Sequence, residues 1–234
     1  MEASLPDNVP APKSPHPRRR LFVAGANGAT GRTLFSLAED TPARALLVAH
    51  LRPATARRLG DDAPAGSVPL DLANTDALQH VLADCTTVVQ LIGTMRKRFG
   101  NGDTYETSDV ATTQSLVDAC RGTAVDHFVL LSSVGADRPR GAYLQAKAKA
   151  ERIVRDSGVP FTIFRPSAFL GAGHSLPWGV PTLMRTFAGS RYRPIPIEDL
   201  ARTILKTALE RSHLEDFLEG TTLWDAVESS RSEG

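Results

Sequence analysis

The chain has 234 residues, 41% hydrophobic and 23% charged, the proportions of an ordinary soluble globular protein with one full core. A formal net charge of +1 excludes a globally basic surface for nucleic acid or anionic membrane. No run of about 18 apolar residues is present, so no membrane span is expected.

Residues 1–19, within MEASLPDNVPAPKSPHPRRR, are rich in proline and lack an apolar leader. They read as a disordered Pro/Arg-rich tail, and a cytoplasmic location is the expectation. Arg18–Arg20 reads as a solvated lead-in to the first strand, with a phosphate or partner contact as the alternative. Cys85 and Cys120 lie in apolar stretches without metal or disulfide spacing, and the six histidines are scattered, so no metal site is expected.

Short apolar runs then alternate with helical stretches, the pattern of a parallel sheet carrying helices on its faces. Strands are predicted at 20–24, 45–49, 67–70, 87–92, 127–131 and 161–164. Helices are predicted at 31–39, 54–59, 75–83, 104–121, 143–157 and 197–211. The stretch 166–196 is rich in glycine and proline and reads as a substrate loop. Phe169, Leu170, Trp178, Leu183, Met184 and Phe187 within it are either pocket wall or core. The domain is read over 20–211, and 212–234 as a C-terminal segment, partly mobile.

Gly25, Gly28 and Gly31 sit between the first strand and its helix, where glycine spacing of this kind makes a phosphate cradle. The first allows the tight turn, the second lets a pyrophosphate approach the backbone, and the third lets helix and strand pack closely. Asn27, Ala29, Thr30 and Arg32 complete the turn, and the helix offers unpaired N–H groups to the phosphates. A carboxylate at the end of strand 2 would favour an unphosphorylated adenosine ribose. Here the chain reads His50-Leu51-Arg52, with Arg57 and Arg58 following. A guanidinium suits a 2′-phosphate, so NADP(H) is expected with Arg52 as the leading contact and Arg32 as the second. NAD(H), with both as surface arginines, is the alternative. Asp71 and Leu72 after strand 3, and Ile92, Gly93 and Thr94 after strand 4, line the same crevice or make plain turns.

Tyr143 and Lys147 are four apart at the start of a predicted helix, hence on one face, and Ser132-Ser133 ends strand 5. A lysine cation close to a tyrosine stabilises the phenolate and makes the hydroxyl a better acid–base. A serine hydroxyl there holds a carbonyl oxygen in line with it. With five lysines in the whole chain, a surface Tyr and Lys by coincidence is the weaker reading.

The motifs GANGATG, LIGT, VLLSSVGA, YLQAK and FTIFRPSAFLG, with the later RPIPIEDLA, cover about residues 20 to 211. On these the sequence resembles the atypical short-chain dehydrogenases/reductases, the branch of NmrA-like and Tat-interacting-oxidoreductase-like proteins. The resemblance implies an α/β fold: a Rossmann-like, doubly wound parallel sheet with a small C-terminal substrate-binding region. It implies Ser133, Tyr143 and Lys147 as catalytic residues, Lys147 also holding the nicotinamide ribose, and Arg165, Pro166 and Ser167 at the nicotinamide end. Many active members carry an asparagine after strand 4 that completes a proton relay; here YETSDVATTQ offers Asp109 instead.

The implied activity is NADP(H)-dependent oxidation or reduction of a small, largely apolar carbonyl or alcohol. A non-catalytic redox-sensing regulator is the alternative, and a sugar-nucleotide epimerase a further one. The expected partners are the dinucleotide and a small-molecule substrate, with neither nucleic acid nor membrane. A homodimer through the helices after strands 4 and 5 is a form this superfamily takes.

Overall fold

The computed structural model describes residues 19–93, 104–170 and 189–232. Its first half runs β1 (Leu21–Ala24), α1 (Ala29–Ala38), β2 (Leu47–Leu51), α2 (Pro53–Leu59), β3 (Val68–Pro69), α3 (Thr75–Leu82) and β4 (Thr87–Gln90). A π-helical turn, Glu106–Ala111, leads into α4 (Thr112–Cys120), followed by β5 (His127–Leu131), α5 (Gly141–Arg155) and β6 (Phe161–Phe164). The last part holds β7 (Phe169–Leu170), α6 (Gly189–Tyr192), β8 (Ile195–Pro196), α7 (Ile197–Glu210), β9 (Asp216–Leu218) and α8 (Thr221–Ser232).

Seven of these strands form one parallel sheet in the order β3-β2-β1-β4-β5-β6-β9. The order reverses between β1 and β4, so the loops leaving their carboxyl ends part to opposite sides and open a crevice. The two-residue period of a strand explains the two cores. Leu21 and Val23 face Leu34 and Phe35 of α1, Leu200 and Ile204 of α7 and Trp224 of α8. Phe22 and Ala24 face the other way, toward Leu78 of α3, Leu116 of α4 and Val154 of α5. The result is a doubly wound, Rossmann-like α/β fold.

Two stretches differ from the sequence reading. The helix expected over 104–121 is interrupted by the π-turn, which buries Ser108, Asp109 and Val110 in succession. Beyond residue 211, where a partly mobile segment was expected, β9 extends the sheet beside β6 and α8 packs on it. Leu218, Leu223, Trp224 and Val227 are the buried residues that pay for this order. The tail at 1–18, Thr94 and residues 171–188, with Trp178, Leu183, Met184 and Phe187, lie outside the described residues.

His127 on β5 is fully buried, its Nε2 lying 2.9 Å from Thr162 Oγ1, and no partner for its Nδ1 occurs among the described residues. Burial, seconded by the charges of Arg211 and Arg19, lowers its pKa from 6.5 to about 4. The unfolded chain therefore binds a proton that the folded chain refuses, so this contribution is intact above pH 6.5 and lost as pH falls through about 4. Urea unfolding across that window is expected to show His127→Phe losing less stability than the wild type, the difference reaching at most about 3 kcal/mol.

Candidate cofactor crevice and catalytic edge

The glycine turn between β1 and α1 has the geometry a phosphate cradle needs. Gly25 has a φ of +98°, and a Cβ there would meet the Leu91 carbonyl carbon at 2.9 Å and the Ile92 nitrogen at 3.0 Å. A Cβ on Gly31 would lie 2.3 Å from the Gly25 oxygen and 2.6 Å from the Ala26 oxygen. Gly28 is less crowded, with only the Gly25 oxygen near its Cβ position, at 3.2 Å. It is also the N-cap of α1 and brings no side-chain cap to the first-turn N–H groups, Ala29 to Gly31. These features fit a pyrophosphate: among the described residues no side chain comes within 4 Å of the Gly28 Cβ position.

A cavity of about 480 Å³ opens at the carboxyl ends of β2, β3 and β4. His50, Arg52, Arg57, Asp71, Leu72 and Ile92 line it, and Thr107, Thr112 and Ser115 close its far side. Arg52, Asp71, Leu72 and Ile92 are thus brought together as expected. Asp71 also makes turn chemistry, its Oδ1 accepting from Ala73 N at 3.0 Å. Arg32 is not brought there: its Nη1 donates to the Asn27 carbonyl at 2.6 Å, and it lines a separate shallow cavity with Thr33, Ser36, Leu37 and Glu198. The buried His50, whose Nε2 lies 2.9 Å from the Leu70 carbonyl, has a pKa lowered chiefly by burial.

Leu91–Gly93, leaving β4, joins this cavity to the residues expected to carry chemistry. On one side it meets Gly25. On the other, a Cβ on Gly93 would lie 3.2 Å from Lys147 Nζ and 3.5 Å from Asp109 Oδ1. Lys147 and Asp109 form an ion pair at 2.7 Å, with side chains only 6% and 1% exposed, and Lys147 Nζ also donates to the Leu131 carbonyl at 3.1 Å. Tyr143, one turn earlier on α5, is 37% exposed and meets the Tyr105 ring edge-on at 5.5 Å.

The two serines ending β5 divide. Ser132 is buried and donates to Glu151, while among the described residues the hydroxyl of the half-buried Ser133 makes only a long 3.4 Å contact to the Val134 carbonyl. Glu151 belongs to a chain of charges that the sequence did not reveal. Arg165 Nε donates to Glu151 Oε1 at 2.9 Å and Nη2 to Oε2, while Nη1 reaches Glu219 Oε2 at 3.3 Å. Glu219 pairs onward with Arg191 at 2.6 Å, and Arg191 with Asp137 at 2.6 Å. Burial works against the charge on Arg165, but Glu151 and Glu219 outweigh it and hold its pKa above the ordinary arginine value.

Arg165, expected at the nicotinamide end, directs its donors to the buried Glu151 and the partly buried Glu219. Ser167 donates to the Arg193 carbonyl at 2.6 Å, and the Pro166 carbonyl accepts from Val134 N at 2.9 Å, so both brace the backbone around the edge. Cys85 and Cys120 are buried free thiols, pushed up by burial to about 11 and about 12. At those values neither is a nucleophile at neutral pH.

A strand-order switch point, a glycine cradle and a Tyr/Lys helix at one sheet edge define a nicotinamide-dinucleotide-binding protein. A family model described as NAD(P)H-binding matches residues 25–211, and the chain belongs to that family, with the character of an atypical short-chain dehydrogenase/reductase.

Among curated relatives, the divinyl chlorophyllide a 8-vinyl-reductase of Zea mays is 29% identical over 228 residues, covering 86% of this chain and 56% of that protein. The chain spans about half the length of the curated relatives it matches. Among solved structures, the Citrobacter sp. triphenylmethane reductase complexed with NADP(H) superposes with a TM-score of 0.62, at 18% identity over 86% of this chain and 69% of that one. The Bacillus cereus UDP-glucuronic acid 4-epimerase, in complex with UDP-glucuronic acid and NAD, gives 0.61 at 18% identity over 92% and 84%. At these identities the two structures speak for the fold.

Proposed function

We propose that the protein is an NADP(H)-dependent oxidoreductase acting on a small, largely apolar carbonyl or alcohol. The observation that carries this reading is the shared edge: Leu91–Gly93 touches the glycine cradle on one side and the Lys147 ammonium on the other. A dinucleotide laid along that edge from the Arg52 cavity ends beside α5.

The first-turn N–H groups of α1 hold the pyrophosphate, and Arg52 and Arg57 answer a 2′-phosphate with charge and a planar fork of donors. The bound nicotinamide supplies or takes the hydride. Lys147 holds the adjoining ribose, the Ser133 hydroxyl steadies the substrate oxygen, and the Tyr143 hydroxyl gives or takes its proton. The exposure of Tyr143 and the weak engagement of Ser133 within the protein favour these roles. A protein of the same fold, the Citrobacter sp. triphenylmethane reductase, is complexed with NADP(H).

The test is NADPH oxidation with panels of quinones, aldehydes and ketones, read in the wild type, Tyr143→Phe and Arg52→Ala. Tyr143→Phe is expected to lower turnover by about 100-fold or more with the NADPH affinity kept within threefold. Arg52→Ala is expected to weaken NADPH by about tenfold or more and to leave NADH within twofold. NADPH binding without oxidation by any acceptor, together with a functional Tyr143→Phe protein, overturns the enzymatic reading in favour of a regulator.

A further inference from the structure

We propose that His50 is a third anion-reading residue of the Arg52 cavity, one that takes up a proton from solvent as a 2′-phosphate settles there. The inference rests on the NADP reading above and concerns a residue that reading does not use.

Strand β2 reads LVAHL and is buried from end to end, with His50 as its one polar residue. The alternation that puts Val48 in the core puts position 50 on the same face, where a further apolar group would be ordinary. An imidazole stands there instead, 3% exposed, and lines the cavity of about 480 Å³ together with Arg52, Arg57 and Asp71. Its Nε2 lies 2.9 Å from the Leu70 carbonyl, which can only accept. Nε2 therefore carries the hydrogen of the neutral ring, and Nδ1 is the atom open to a second proton.

The influences on the ring oppose one another. Burial disfavours the imidazolium and the Leu70 carbonyl favours it; the Arg52 cation disfavours it and the Asp71 carboxylate favours it. Arg57 on α2 brings one more cation to the cavity. Phe22 of β1, its ring 5.7 Å away, and Thr107, Thr112 and Ser115 on the far side bring no charge. A phosphate dianion arriving at Arg52 cancels the repulsion from that arginine and adds its own attraction, so the ring charges on binding.

The direction of proton flow separates His50 from the ligand. A phosphate, with a second pKa of about 6, sheds any proton it carries when it meets fixed cations. Net uptake must come from a protein base, and of the residues lining this cavity His50 is the one whose ordinary pKa, 6.5, lies near neutrality.

Calorimetric titration of the full chain at pH 6.5, repeated in buffers of different ionisation enthalpy, counts the protons taken up per ligand. The probes are 2′,5′-ADP and 5′-AMP, which differ only in the 2′-phosphate. The wild type is expected to take up about half a proton with 2′,5′-ADP and none with 5′-AMP. His50→Gln, which keeps a donor for the Leu70 carbonyl, and His50→Leu, which suits the apolar strand, are expected to take up none with either. From pH 8 to pH 6 the wild-type preference for 2′,5′-ADP over 5′-AMP is expected to rise about fivefold, and that of both variants to stay flat or fall. A purely structural His50 would change stability or affinity evenly across pH and leave the proton count as it was.

Equal uptake by the wild type and either variant overturns the proposal, as does a wild type that prefers 2′,5′-ADP but takes up no proton. Both results leave the NADP reading standing. A wild type that binds 2′,5′-ADP no more tightly than 5′-AMP at any pH overturns the NADP reading, and this role with it.

Discussion

Gly31→Val is expected to abolish detectable dinucleotide binding and to destabilise the fold together. The added Cβ would stand 2.3 Å from the Gly25 oxygen, 2.6 Å from the Ala26 oxygen and 2.7 Å from the Ala26 Cα. All three are backbone atoms of the turn itself, so no side chain can swing aside. Relief requires α1 to move away from β1, and α1 carries Leu34, Phe35 and Ala38 into one of the two cores. Overpacking of this kind costs about 1–3 kcal/mol, and a backbone clash belongs at the upper end. Displacing the first turn also re-aims the N–H groups that meet the phosphates, for a loss of affinity of about 100-fold or more.

Gly28→Ala is the informative contrast. Its Cβ meets one oxygen at 3.2 Å in an open turn, so stability is expected to stay within about 1 kcal/mol. The methyl group nevertheless enters the space a pyrophosphate would occupy, and NADPH affinity is expected to fall. Urea unfolding and fluorescence titration of the two variants separate fold from cradle.

Arg165→Leu is expected to be the most destabilising substitution in the charged interior. It strips Glu151, whose side chain is 5% exposed, of a two-pronged partner and Glu219, 15% exposed, of one of its two arginines. Removing one member of a buried ion pair typically costs about 3–5 kcal/mol, because the charge left behind has lost its water and its partner. The loss reaches three elements, since Glu151 is on α5, Glu219 follows β9 and Arg165 follows β6. It also removes a cation lying 4.3 Å from the centre of the Phe217 ring. The exposed Arg202–Glu198 pair on α7 is the control, with Arg202→Leu expected to change stability by less than about 0.5 kcal/mol. Midpoints of urea unfolding measure both.

The parts of this molecule that follow local rules were legible in the sequence. β5 and β6 fall where their apolar runs predict, and the glycine turn declared itself because a phosphate cradle needs small residues at fixed intervals. β9 was missed because three residues, Asp216 to Leu218, carry too little pattern; its place beside β6 is a tertiary fact. The apolar spacing of Leu223, Trp224 and Val227 was a usable sign of α8.

At the site, Tyr143 and Lys147 share a helix face and could be paired by spacing. The partner of Lys147 comes from another element through a π-turn that no propensity announces. Arg165 was read as a cofactor contact, and nothing local reveals Glu151 and Glu219 as its partners. Ser133 was named over Ser132 by the family resemblance, and in the structure Ser132 is the one that Glu151 takes.

The most direct test of the central claim is fluorescence titration of the wild-type protein with NADPH and NADH under identical conditions. Saturable enhancement of nicotinamide fluorescence is predicted for NADPH, with a dissociation constant in the micromolar range or below and at least tenfold tighter than for NADH. Saturation by neither nucleotide would contradict a dinucleotide crevice, and tighter binding of NADH would contradict the role given to Arg52.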